Sequence, residues 1–231
     1  MKRQNELIGF LFDGKTGRLS EELYQWIQAS PRFNTFVEDY RDKIRKKIRV
    51  ASEPEGLLDI RAELDVARGL LGDRRLKVEY ELNANSKRRV PDFAVTYREN
   101  LIFHIEVSRM QASKNADAGR TAERIVRILL EKLGQMQPGA PNLLVIHTKE
   151  QAAQSVDLGK LMQQVKNRAD KKDIPFYARS RYDGPSAFYK DFLHLNGILL
   201  WAPGADPWVN KQARPSLDAK VVRLVHSLVP A

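Results

Sequence analysis

Between Leu101 and Val107 the odd positions Leu101, Phe103, Ile105 and Val107 are all apolar, while the even positions carry Ile102, His104 and Glu106, with Ser108 next. Successive strand residues point to opposite faces, so the alternation predicts a strand with His104, Glu106 and Ser108 together on the face away from the core. Leu76, Val78, Tyr80 and Leu82 alternate with Lys77, Glu79 and Glu81 in the same way. Phe93, Val95 and Tyr97 give a third inward face, and Arg98-Glu99-Asn100 is short enough for a hairpin turn. The expectation is a three-strand meander, with Asp92 opening its second strand and Glu106 on its third.

Elsewhere the spacing is helical. Ser20 is read as the cap of a helix with Leu23, Trp26 and Ile27 on one face, and after Pro31 a second helix carries Phe36, Val37, Tyr40, Ile44 and Ile48. Glu53-Pro54-Glu55-Gly56 breaks it, and a helix from Leu57 to Leu71 then bears Glu63. After the meander a long helix from about Asn115 to Leu133 turns Ala118, Ala122, Ile125, Val126, Leu129 and Leu133 inward. Leu143-Leu144-Val145-Ile146 reads as a buried strand, and strand, helix and strand in that order imply a right-handed crossover with parallel pairing. A helix near Leu158 to Arg168, a last strand at Ile198 to Trp201 and a closing helix from Leu217 to Leu228 complete the chain. The fold class is α/β, with an N-terminal helical extension over residues 1–52 and the main domain over residues 53–231.

Charge and composition narrow the partners. The 231 residues carry 39 Lys and Arg against 29 Asp and Glu, a formal net charge of +10, which favours a polyanionic partner. The absence of cysteine excludes disulfides and thiolate metal sites. Met1-Lys2-Arg3-Gln4-Asn5 lacks the apolar stretch of a signal peptide, and no run approaches the ~20 apolar residues of a membrane span, so a cytoplasmic protein without a membrane partner is expected.

The chemistry concentrates at Arg89-Val90-Pro91-Asp92-Phe93 and Phe103-His104-Ile105-Glu106-Val107-Ser108. Pro91 fixes its own φ and pushes Val90 into an extended conformation, which helps to aim Asp92. Carboxylates on adjacent strands can share a divalent cation, and such a cation can activate water against a phosphodiester. Here the chain resembles the PD-(D/E)xK nucleases, the restriction-endonuclease-like superfamily, over roughly residues 53 to 203. Pro91-Asp92 and Glu106 match the order and spacing of that motif, and Glu63, Ala67, Leu70 and Gly72 fall where the family places its helical Glu, a small residue, a Leu and a closing Gly.

The resemblance implies a restriction-endonuclease-like mixed sheet, an antiparallel meander plus a parallel crossover strand, flanked by helices. It implies magnesium or manganese held by Asp92 and Glu106, with Glu63 as a further ligand or water-positioning group, and hydrolysis of nucleic acid, DNA in preference to RNA. Ser108 departs from the pattern, because it stands where the family's lysine should be and a hydroxyl cannot supply that positive charge. Lys77, Lys114 and Arg120 are candidate substitutes, whereas Arg109 should point to the opposite face. His104 reads either as a base or third ligand or as a polar residue on a half-exposed face.

Lys87, Arg88 and Arg89 enter the site loop, and Arg120, Arg124 and Arg127 recur at helical spacing; both sets are candidate phosphate contacts. Lys43, Arg45, Lys46, Lys47 and Arg49 read as a solvated helix face. Gly9-Phe10-Leu11-Phe12-Asp13-Gly14-Lys15-Thr16 satisfies the letter of a P-loop, but no buried strand precedes it, and Asp13-Gly14 reads better as a turn between short extended pieces. A nuclease is therefore expected, the alternative being a catalytically degenerate relative that binds nucleic acid or a protein partner without cleavage. A homodimer is a candidate assembly.

Overall fold

The computed structural model describes residues 2–51, 54–81, 90–98, 100–111, 117–178 and 180–228. It divides into two compact units, Met1–Val78 and Glu79–Ala231. The N-terminal unit holds helices α1 (Lys2–Leu11), α2 (Arg18–Ala29), α3 (Pro31–Asp39), α4 (Arg41–Val50) and α5 (Pro54–Gly72). Leu11, Leu23, Ile27, Phe33, Val37, Ile44 and Leu64 are fully buried in it.

Local chemistry explains these helices and corrects several expectations. Ser20 is not the cap of α2; it sits one turn inside, where its Oγ accepts from the Gly17 amide at 2.8 Å. Ser30 caps α3 by accepting from the Phe33 amide at 3.3 Å, with Pro31 in the first turn where its missing N–H costs nothing. The single helix expected after Pro31 breaks at Tyr40 into α3 and α4. The P-loop-like segment begins inside α1 and turns at Asp13 and Gly14, both at positive φ, so helices rather than extended pieces flank the turn. Arg45 and Arg49 both bind the Asp13 carboxylate, with Arg49 Nη2 at 2.8 Å, and these two guanidiniums hold its carboxyl well below the usual carboxylate range. Part of the basic face of α4 is thus spent on clamping the α1–α2 turn. Arg32 ties off the other end of the unit, donating to the carbonyls of Leu71, Asp73 and Leu76 at 2.5, 2.8 and 2.6 Å.

The second unit is built on a six-stranded mixed sheet of order β1-β2-β3-β4-β5-β6, flanked by helices. Its strands are β1 (Leu76–Tyr80), β2 (Phe93–Tyr97), β3 (Leu101–Arg109), β4 (Asn142–His147), β5 (Leu195–Trp201) and β6 (Trp208–Val209). The unit boundary lies within β1. β2 pairs antiparallel with β3, β3 and β4 pair parallel, as do β4 and β5, and β6 returns antiparallel on β5. The helices are α6 (Ala118–Leu133), α7 (Glu150–Gln154), α8 (Leu158–Asp170), α9 (Ile174–Ala178), α10 (Pro185–Phe192) and α11 (Ala219–Ser227). Asp117, Asp157 and Asp218 cap α6, α8 and α11 through their side-chain oxygens. Among the described residues no helix is long and apolar enough to cross a membrane.

One continuous core joins Ile125, Leu129 and Leu133 of α6 to Leu144 and Ile146 of β4, Ile198 and Leu200 of β5, and Phe188 and Phe192 of α10. At its edge three buried asparagines cross-tie the strand entrances. Asn142 Nδ2 lies 2.8, 2.9 and 3.0 Å from the carbonyls of Gln137, Ala140 and His194. Asn196 accepts from the Asn142 amide and donates to Pro215, and Asn210 donates to Phe192 and Leu195. Buried carbonyls leaving a sheet need donors, and a short primary amide supplies two.

Candidate active site

β2 and β3 bring Asp92 and Glu106 to facing positions. Phe93 pairs with Ile105, so extending the antiparallel register by one residue sets Asp92 opposite Glu106. Directly opposed residues share a face. Asp92 is the last residue before β2, and its Oδ2 accepts from the Val107 amide of β3 at 2.8 Å. Its own carbonyl accepts from the Glu81 amide at 2.9 Å, beside the end of β1. Backbone bonds to both neighbouring strands therefore hold this carboxylate in place.

The face that carries Glu106 is not the wet one the alternation suggested. Glu106 and Ser108 stand in register with Leu144 and Ile146, both part of the core formed with α6. Phe103, Ile105 and Val107 on the other face are buried as well. The strand is covered on both sides, as parallel strands joined by a crossover helix usually are. Glu106 is 8% exposed. A carboxylate so placed requires a partner, and it has one: Lys132 Nζ lies 2.6 Å from Glu106 Oε1.

Lys132 was not among the residues singled out from sequence. It lies in the last turn of α6, seven residues after Ile125 and four after Ile128, both buried. That spacing places it on the apolar stripe, and a lysine on an otherwise apolar stripe is the signal that could have found it. Of the expected substitutes, Lys77 is exposed on β1, Lys114 lies outside the described residues, and Arg120 pairs with Asp117 at 3.4 Å. Arg109 stands opposite His147 at the end of β3. Ser108 is half-buried on the Glu106 face.

The remaining candidates are placed as follows. Glu63 belongs to α5 of the N-terminal unit, where Lys47 Nζ lies 2.6 Å from its Oε2. Lys87, Arg88 and Arg89 lie outside the described residues. Arg124 of α6 donates to the Gln111 carbonyl at 2.8 Å. Among the described residues no three or more His, Asp or Glu side chains cluster as a metal site. The donors at Asp92 and Glu106 are hard carboxylate oxygens, which suit magnesium or manganese rather than a soft metal.

Comparison of the chain with protein-family models, curated proteins and solved structures returns no match.

His104 shares the Glu106 face, opposite Asn142 on β4. Its Nδ1 is buried without a hydrogen-bond partner. Burial pushes the imidazole below its ordinary value of 6.5, and the neighbouring Asn142 side chain only partly opposes this. The folded state thus favours neutral His104, and the unfolded chain binds more protons in the window below pH 6.5. Stability from this group is complete above that window and is lost as pH falls through it. Urea denaturation at pH 7.5 and 5.5 is expected to show a smaller loss on acidification for His104→Gln than for the wild type. Equal losses would remove His104 as the titrating group.

Proposed function

We propose that the chain is a metal-dependent nuclease of the restriction-endonuclease-like type, in which the positive charge missing at Ser108 is supplied by Lys132 from α6. The observation that carries this reading is the 2.6 Å approach of Lys132 Nζ to Glu106, on the face that also bears Ser108. Asp92, held by the Val107 amide, and Glu106 are the candidate ligands of a magnesium or manganese ion. Such an ion, when bound, polarises a phosphoryl oxygen and lowers the pKa of a coordinated water. The chain's own part is to fix the two carboxylates on paired strands and to present an ammonium beside them. A preorganised cation stabilises negative charge developing on phosphate without reorganising at the moment of reaction. The net charge of +10 supports a polyanionic substrate such as nucleic acid, and the resemblance to restriction-endonuclease-like enzymes favours DNA over RNA.

A second reading rests on the same ion pair. Lys132 already neutralises Glu106, and a lysine in that position can replace a metal ion as readily as assist one. The protein is then a degenerate relative that binds nucleic acid, or a protein partner, without cutting.

Cleavage assays on single-stranded, duplex and branched DNA and on RNA, with magnesium or manganese and with a chelator, separate the two. The nuclease reading expects metal-dependent cleavage that falls at least about 100-fold in Asp92→Asn and in Glu106→Gln, since even outer groups of metal sites act on that scale. Binding without cleavage under all these conditions selects the second reading. A chain that neither binds nor cuts any of them refutes both nucleic-acid readings.

A further inference from the structure

The outer side of α6 borders a cavity of about 560 Å³ shared with α8 and α9. Four guanidiniums, Arg120, Arg124, Arg127 and Arg168, surround it. Three have partners, Arg120 through its ion pair with Asp117 at 3.4 Å. Arg124 donates to the Gln111 carbonyl, and Arg168 is fixed by Asp173 at 2.7 Å with its guanidinium 5.3 Å from the Phe176 ring centre. Arg127, by contrast, is exposed and has no hydrogen-bond or ion-pair partner among the described residues. Val126, Leu130 and Phe176 give the cavity an apolar wall, and Glu123 stands at its side as a lone carboxylate.

We propose that this cavity binds a nucleotide through its phosphates and its ring. Converging guanidiniums match phosphoryl oxygens by forked, charge-assisted hydrogen bonds. Bare phosphate or polyphosphate would leave the apolar wall unused and would meet repulsion from Glu123. A nucleotide satisfies both, because its ring covers apolar surface while ring amino or ribose hydroxyl groups donate to the carboxylate. The volume lies within the range of small-ligand pockets, about 300–1,000 Å³, whereas a strand of nucleic acid tracks an extended groove. None of Asp92, Glu106 and Lys132 lines the cavity, and the inference stands whether or not their site cuts.

Titration calorimetry of the full chain with ATP, GTP, CTP and UTP, in chelator to silence any metal site, tests the proposal. Tripolyphosphate, adenosine and a single-stranded oligonucleotide serve as comparison probes. At least one nucleoside triphosphate is expected to bind at least tenfold more tightly than tripolyphosphate or adenosine. Its affinity is expected to fall about tenfold in Arg127→Ala and further in Arg127→Glu, as loss of a charge-assisted hydrogen bond implies. Arg127 is exposed, so both variants should fold, which circular dichroism verifies. Asp92→Asn is expected to leave nucleotide affinity unchanged. The proposal fails if no nucleotide binds, if tripolyphosphate binds equally well, or if the Arg127 variants bind like the wild type. Tighter binding of the oligonucleotide at the same arginines would overturn it in favour of a strand.

Discussion

Replacing Lys132 with Gln is expected to lower metal-dependent cleavage by about 10²–10³-fold, and adding Ser108→Lys to the same chain is expected to recover most of that loss. The rescue is the informative part. Ser108 and Glu106 lie on the same face of β3, two residues apart, and Lys132 reaches Glu106 from α6. An ammonium can therefore be delivered to nearly one place from either the strand or the helix. Ser108→Lys in the otherwise wild-type chain should gain little, because a second ammonium beside an already paired carboxylate is repelled by the first. Single-turnover rates of the wild type, both single variants and the double variant decide the matter. Cleavage by Lys132→Gln at the wild-type rate would reduce Lys132 to a charge partner. Loss without recovery in the double variant would mean that the geometry of α6, and not charge alone, is required.

Strand phase was legible in the sequence because it depends on neighbouring residues alone. Phe103, Ile105 and Val107 are all buried on one face, as their alternation predicts. What covers each face is not a local property. The crossover helix α6 buries the Glu106 face, so a pattern that reads as half-wet becomes a strand buried on both sides. Lys132 escaped notice for a related reason. A lysine on the apolar α6 stripe takes its role from the carboxylate it meets on another element, which local spacing does not encode.

Short elements were lost for want of a period. α7 and α9 span five residues each and β6 two, too few to show periodicity, although Phe188 and Phe192 of the eight-residue α10 anchor the core. The break at Tyr40 carries neither Gly nor Pro, so nothing in the local sequence announces it. α1 was obscured by the P-loop-like letters within it, whose Phe10 packs under the Arg45 guanidinium at 4.1 Å rather than wrapping a phosphate.

The Glu106–Lys132 pair also carries the largest expected stability effect, and the effect should be asymmetric. Lys132→Met takes the ammonium from a carboxylate that is only 8% exposed, a loss that costs about 3 kcal/mol for a buried ion pair. Glu106→Leu should cost less. The lysine side chain is 22% exposed against 10% for the glutamate, and its long stem can carry the ammonium outward. The double variant Glu106→Leu with Lys132→Met removes both charges and fills the space with apolar groups, so its stability should return to within about 1 kcal/mol of the wild type. Urea unfolding of the four proteins at neutral pH gives the coupling directly, as the amount by which the double variant falls short of the sum of the two singles. Additive losses would mean that the two groups do not depend on each other. A double variant at least as stable as the wild type would mean that the fold gains nothing from this pair. Since most functional sites are kept at some cost in stability, the pair would then have to be explained by what its charges do beside Asp92.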